Sequence, residues 1–217
     1  NHVVKIVNSG ALTAAYYLKF DANNGTSGPG IWKEGLAPDT STGLDAATMP
    51  HELVNTGVNA FTFQRVTWTA RKVGDDETNK HPSFVGNKIQ QSFFHNNRLG
   101  FLSADTVSMS QSGKFFDFYH TTAQAVTDAD PIDLSASTVK PVALHSVLPS
   151  TQGLVLFSAN QQFLMGSSDG ILTPTKTVIR AIANYEMDTI IDPVDSGTTI
   201  NFVSKTPSYT RIFGMVT

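Results

Sequence analysis

The sequence predicts a mainly β protein: a small antiparallel β unit followed by part of a β-propeller-like domain, with a β-sandwich as the alternative. Three observations carry this expectation. Apolar and polar side chains alternate with period two over many short runs. Clusters of Gly, Pro, Asn, Asp and Ser separate those runs. A five-residue pattern then recurs three times at a spacing suited to repeated small sheets.

The first run is VVKIV, near the N-terminus. AAYYLKF follows, where Tyr17 and Lys19 take the opposite side of the alternation from Tyr16, Leu18 and Phe20. DANNGTSGPG, with Gly25, Gly28 and Gly30 around Pro29, predicts a long turn. Ile31 to Glu34 starts another short strand, residues 35–50 read as loop, and Val58 to Thr67 alternates again. A small antiparallel β domain over 1–68 accounts for these runs. Residues 69–88 are polar and turn-rich and read as a linker; residues 89–217 read as propeller-like blades. A strand is already under way at the start, so the sequence reads as a portion of a longer protein.

The stretch from His81 to Asp133 reads as a meander of short strands around the turn-prone pairs Asn96-Asn97 and Ser112-Gly113. Gly100, inside a strand pattern, predicts a bulge or a close backbone approach. In Phe115–Tyr119 the alternation places Phe116 and Phe118 on a core side, with Phe115 and Tyr119 off it. Helix signals are thin. Thr121 to Val126 suits a short helical connector, and Val178 to Ala183 suits a turn or two of helix or a strand.

The repeat consists of Phe101-Leu102-Ser103, Leu156-Phe157-Ser158 and Phe202-Val203-Ser204, each followed by two turn-tolerant residues and a second apolar run. The serines are 55 and 46 residues apart. One four-stranded sheet cannot bury both its faces, so stacked neighbours must cover them. Phe101, Leu156 and Phe202 are therefore expected at equivalent positions in successive sheets. Leu102, Phe157 and Val203 should face the other way, and Phe202 should be the most exposed of the set, at the end of the stack.

Composition excludes several functions. Fourteen Phe, five Tyr and two Trp can drive collapse, so the chain is not disordered. The net charge is −3 and no Lys/Arg cluster exceeds Arg71-Lys72, so the footprint of a phosphate-gripping protein is missing. With no Cys, neither a disulfide framework nor a thiolate metal site is possible. No apolar run approaches the roughly 18 residues that suggest a membrane-spanning helix, and no membrane insertion of this segment is expected.

Within this frame, TMPHELV, FTFQ, W-x-x-R-K and GDDETN precede PSFVG, FFHNNRLGFLS, SMSQSGKFFDFY and DADPID, in that order. The set resembles the tail tubular protein B, or nozzle, family of short-tailed phages. The resemblance is good over 45–135, looser over 1–44, and continues after 140 in the LFS-x-x-x-QF-L core and the LTP turn. It implies a structural subunit of the virion tail: a self-associated ring of about six copies forming the distal DNA conduit and contributing to DNA ejection. Its implied partners are a tail adaptor protein, tail fibres and DNA in passive transit. Weak acidity suits the wall of such a conduit. The resemblance also implies a propeller-like β domain. The runner-up function is a carbohydrate-binding or carbohydrate-cleaving propeller on the virion surface, for which Trp32 and Trp68 are the only Trp available.

No cofactor is expected, and no enzymatic role. Asp128, Asp130 and Asp133 in TDADPID are the candidate metal ligands, because carboxylates so spaced bind Ca²⁺ when the loop curls around the ion. The loop lacks the Gly and closing Glu of an EF-hand, and a charged turn is the competing account. Asp75, Asp76 and Glu77 are consecutive in a polar loop, where carboxylates point to water rather than flanking a glycosidic bond. Asp188, Asp192 and Asp195 flank turns. His2, His51, His81, His95, His120 and His145 show no H-E-x-x-H or H-x-H spacing. No G-x-S-x-G elbow or phosphate loop occurs. The Phe-rich runs lack the basic partners of a single-strand binder.

Overall fold

The computed structural model describes residues 2–8, 11–136 and 142–216. Among them there are strands and irregular segments but no helix. β1 (Val3–Asn8), β2 (Ala11–Ala22) and β3 (Gly30–Gly35) form an antiparallel meander. The expected Gly-rich turn joins β2 to β3, closed by Asn23 N–H donating to Pro29 O at 2.9 Å. Phe20 and Trp32 lie opposite each other and meet edge to face, with centroids 5.3 Å apart. β4 (His51–Gly57) and β5 (Ala60–Arg65) make a separate two-stranded hairpin, whose Val58-Asn59 tip puts Asn59 at φ 56°.

The segment 69–88 has no strand of its own but many tethers. Leu36 bridges Gly74, and the Tyr17 hydroxyl donates to Asp75 at 3.0 Å. The Asn79 amide donates to Val73 O and His120 O, and its oxygen accepts from His120 N.

Three sheets follow. β6 (Ile89–His95), β7 (Arg98–Ser103), β8 (Thr106–Met109) and β9 (Ile132–Ser135) pair in chain order. β10 (Leu144–Ser150), β11 (Gly153–Ser158), β12 (Gln162–Gly166) and β13 (Val178–Ala183) repeat that order in a second sheet. β14 (Val194–Asp195), β15 (Thr199–Lys205) and β16 (Thr210–Val216) form a three-stranded third. All pairings are antiparallel. Val178 to Ala183 is thus strand rather than helix: its Val and Ile side chains suit a pleated surface, and it completes the second sheet beside β12. Thr121 to Val126 is irregular, not a helical connector, because Thr122 and Ala123 are drawn onto the Glu34 carboxylate at 2.7 and 2.6 Å.

The sheets stack through their faces. Leu102, Val107, Met109 and Ile132 of the first pack on Leu154, Leu156, Phe163 and Met165 of the second. Val155, Phe157 and Leu164, on the second sheet's other face, pack on Ile200 and Phe202 of the third. The first sheet's remaining face carries Leu99 and Phe101, covered by Met49, Phe84 and Phe118. Phe101, Leu156 and Phe202 therefore occupy the second strand of three successive sheets, each facing the layer before it, while Leu102 and Phe157 face the layer after.

Phe202 is not the exposed member: it is 2% accessible. Its face looks back onto the second sheet, and the bare end lies on the opposite face, where Val203 pairs with Ile212, 75% exposed. The third serine also departs from the pattern. Ser103 and Ser158 stand at their turns, but β15 and β16 continue through Ser204–Arg211 and Lys205–Thr210. Thr206 takes the turn role there. Its hydroxyl donates to Tyr209 O at 2.8 Å, as that of Ser158 does to Gln161 O.

Gly100 is the close approach. A Cβ there would collide with the Phe93 ring on the neighbouring strand. Asn96 and Asn97 both have positive φ and make the two-residue turn between β6 and β7. Phe115–Tyr119 is not a strand. It turns back on itself, so adjacent Phe118 and Tyr119 are both buried while Phe115 and Phe116 are about one-third exposed.

Candidate functional site

The TDADPID loop runs into β9 at the edge of the first sheet, and its polar groups turn inward. Arg98 begins β7, immediately after the Asn-Asn turn, and is 2% exposed. Its guanidinium donates to four main-chain carbonyls: Ser110, Asp128 and Asp130 at 2.7 Å, and Ala129 at 3.3 Å. The loop is thus folded around a cation that the protein itself supplies.

Asp130 is fully buried. Its carboxylate accepts from Thr127 N at 2.7 Å and Thr121 N at 3.2 Å, with His120 Nδ1 at 3.5 Å. Burial alone would raise this carboxyl, but the Thr127 and Thr121 amides, the Thr127 hydroxyl and His120 together hold it below the usual range. Asp133 accepts from Ser83 N and Oγ at 2.9 and 2.7 Å, and from Ser108 Oγ at 2.6 Å. Asp128 contributes its carbonyl to Arg98. The three candidate ligands therefore serve separate partners. Among the described residues no group of three or more His, Asp or Glu gathers around a common point.

Beside this loop lies a groove of about 360 Å³, lined by His81, His120, Ser108, Asp133, Phe118 and Pro131 among others. His81 Nδ1 sits 2.8 Å from the Tyr119 hydroxyl. Burial, then the nearby Arg71, lowers the His81 pKa, and burial pushes Tyr119 up to about 12. Neither shift equips the groove with an activated nucleophile.

A second buried cation organises the acidic triplet. Arg71 is 1% exposed and donates to Ser41 O, to Asn79 O at 2.7 Å, to Asp75 O at 3.3 Å and to the Asp76 carboxylate at 2.7 Å. Asp75 Oδ1 accepts from Glu77 N, Thr78 N and Thr78 Oγ1. Two carboxylates of the triplet are therefore joints of a loop. Asp188 and Asp195 likewise close turns, accepting from Ile190 N and Gly197 N, and Asp192 accepts from Ser146 Oγ on the second sheet. Trp68 packs among Phe101, Phe116 and Phe118, and Trp32 lies against Phe20, so the two indoles serve different packing groups.

Sequence reasoning missed both buried arginines. For Arg98 the available signal was its place directly after the Asn96-Asn97 turn and before an apolar strand, where a free charge has no place; Arg71 carries no such signal. It also missed the bareness of the β4–β5 hairpin. Leu53 and Phe63 are cross-strand partners, 65% and 71% exposed. The features the described residues display are stacked apolar faces, arginine-clamped loops and exposed apolar side chains.

A family model describing the bacteriophage nozzle protein matches residues 1–217. The tail tubular protein gp12 of Escherichia phage T7 is 33% identical over 212 residues, which is 97% of this chain and 26% of that protein. The chain thus spans about a quarter of the length of this curated relative.

Proposed function

The chain belongs to the bacteriophage nozzle protein family, and from that membership we propose that it serves as a structural part of a short phage tail rather than as a catalyst. It contributes one segment of a subunit that associates into a ring, of about six copies, around the path of the DNA. The ring joins a tail adaptor protein, carries fibres and lets DNA pass during ejection. The observation that carries this reading is the match over residues 1–217, together with 33% identity to a tail tubular protein.

The physical features support the same role. Three sheets stacked by apolar faces make a stiff wall without disulfides, since the chain has no Cys. A net charge of −3 leaves little counterion release for gripping duplex DNA, which suits a surface that DNA must slide past. We also propose the division into a small β unit (1–68), a tethered connector (69–88) and blade-like sheets (89–217), the last as part of a propeller.

Electron microscopy of the full-length protein tests the reading. Rings with a central hole are expected, and compact monomers under assembly conditions would overturn it. Turnover of glycan, peptide or phosphoester substrates that vanished on changing one Asp or Glu would overturn the non-catalytic role.

A further inference from the structure

We infer that the cavity where turns of the first two sheets converge is a binding site for a small hydroxylated oxyanion, of the chemical class of a sugar phosphate. The inference is independent of the ring reading above.

Three connections meet there. The turn between β6 and β7 supplies His95 and Asn96, the turn between β10 and β11 supplies Thr151 and Gln152, and the loop after β12 supplies Ser168. Arg180 of β13, the cross-strand partner of Leu164, completes the lining. The cavity holds about 620 Å³, within the roughly 300–1,000 Å³ of small-molecule sites. Glycine lets its walls close up. A Cβ at Gly153 would strike Met165 O, and one at Gly166 would stand 2.7 Å from Gln152 O. The turn between β10 and β11 therefore lies directly against the end of β12.

The chemistry selects the ligand. Among the described residues, no Asp or Glu lines the cavity, and Arg180 makes no ion pair. Asp169, which follows Ser168, is occupied elsewhere. It accepts from Ser167 Oγ at 2.9 Å, Ile171 N at 3.2 Å and Lys176 Nζ at 2.7 Å. An unneutralised guanidinium fork matches the oxygens of a phosphate. The hydroxyls and amides around it both donate and accept, as the hydroxyls of a sugar require. No Trp, Tyr or Phe lines the cavity, so a neutral sugar finds no stacking platform and the charge decides. A cavity so lined stays solvated without cover, whereas burying its amides and guanidinium unpaired would be costly.

Saturation-transfer NMR on the full-length protein, with glucose 6-phosphate as probe, tests the inference. Millimolar binding is expected, at least about 10-fold tighter than that of glucose. Arg180→Gln should weaken it by at least about 10-fold, and Ser168→Trp, which fills the cavity, should abolish it. Both side chains are exposed, so neither variant should change the melting temperature. Arg211→Gln, on the third sheet, should leave binding unchanged. A second arm uses a phosphorylated polysaccharide. Binding of glucose 6-phosphate alone assigns the cavity to a free compound, and binding of both admits a polymer-borne group. No binding of glucose 6-phosphate, as when another part of the subunit fills the cavity, overturns the inference. Equal losses in Arg180→Gln and Arg211→Gln overturn it too, as does glucose bound as tightly as its phosphate.

Discussion

Replacing Arg98 by Met removes a cation from a cage of four carbonyls while nearly keeping its volume. Three of those contacts are at 2.7 Å and one at 3.3 Å. A buried acceptor left without a donor costs about 1–3 kcal/mol. Ala129 O keeps a second donor in Ser112 N, so the loss falls on the Ser110, Asp128 and Asp130 carbonyls. Partial entry of water trims the sum, and about 4 kcal/mol is expected. That is in the range of about 3–5 kcal/mol found on removing one partner from a buried charged pair. For a chain of this size it lowers Tm by about 8–16 °C. Urea unfolding followed by the fluorescence of Trp68, which packs against Phe101 in the adjoining aromatic layer, measures it directly. Arg98→Lys keeps the charge but loses the fork, and should recover about half. A loss below about 1 kcal/mol for Arg98→Met would show that the carbonyls find other donors and that the clamp is not what shapes the loop.

Gly100→Ala should cost about 1–3 kcal/mol by driving a methyl into the Phe93 ring, and Phe93→Leu should restore much of it, read as a double-mutant cycle in urea. The Asp130 carboxyl is depressed in the fold, so its contribution is fully present above the unfolded value of about 3.9 and is lost as pH falls through the lower folded value. Asp130→Asn should therefore weaken the protein at pH 7 and flatten the acid limb of stability against pH. Phe157→Ala, between the second and third sheets, should cost about 3–5 kcal/mol, whereas Val203→Ala on the bare face should cost less than about 1 kcal/mol; equal losses would contradict the layer order. Duplex DNA should bind weakly, and sub-micromolar affinity that falls steeply with salt would contradict the charge argument.

The layered architecture was legible because strand periodicity and turn chemistry are local. Asn96-Asn97 announces a reversal by tolerating positive φ, and Phe101-Leu102 announces a strand buried on both faces. The direction each face looks was not legible, since the same pattern fits either neighbour. Phe202 shares its side with Phe101 and Leu156 as expected, but the exposure expected of it falls on the opposite face, at Ile212. The Phe115–Tyr119 run misled because five aromatic-rich residues mimic an alternating strand, while Gln111 N donating to Asp117 O folds them into a turn. The acidic loop shows its carboxylate spacing in the sequence, but the cation that its carbonyls fold around, Arg98, lies thirty residues upstream of Asp128. Nothing local couples those positions.

Strands β15 and β16 of the third sheet reach further before turning than β11 and β12 of the second. They add two residue pairs, Ser204–Arg211 and Lys205–Thr210, ahead of an equivalent turn. Two residues per strand is an even number, so every side chain below the extension keeps its own face. An insertion of one would exchange the side that meets the preceding layer with the side that meets the next, scrambling two interfaces at once. Hairpin tips can grow or shrink by pairs at little cost, and odd steps must be absorbed in bulges such as those near Ile89–Gln91 and Leu144–Ser146, which lie beside the Ser103 and Ser158 turns.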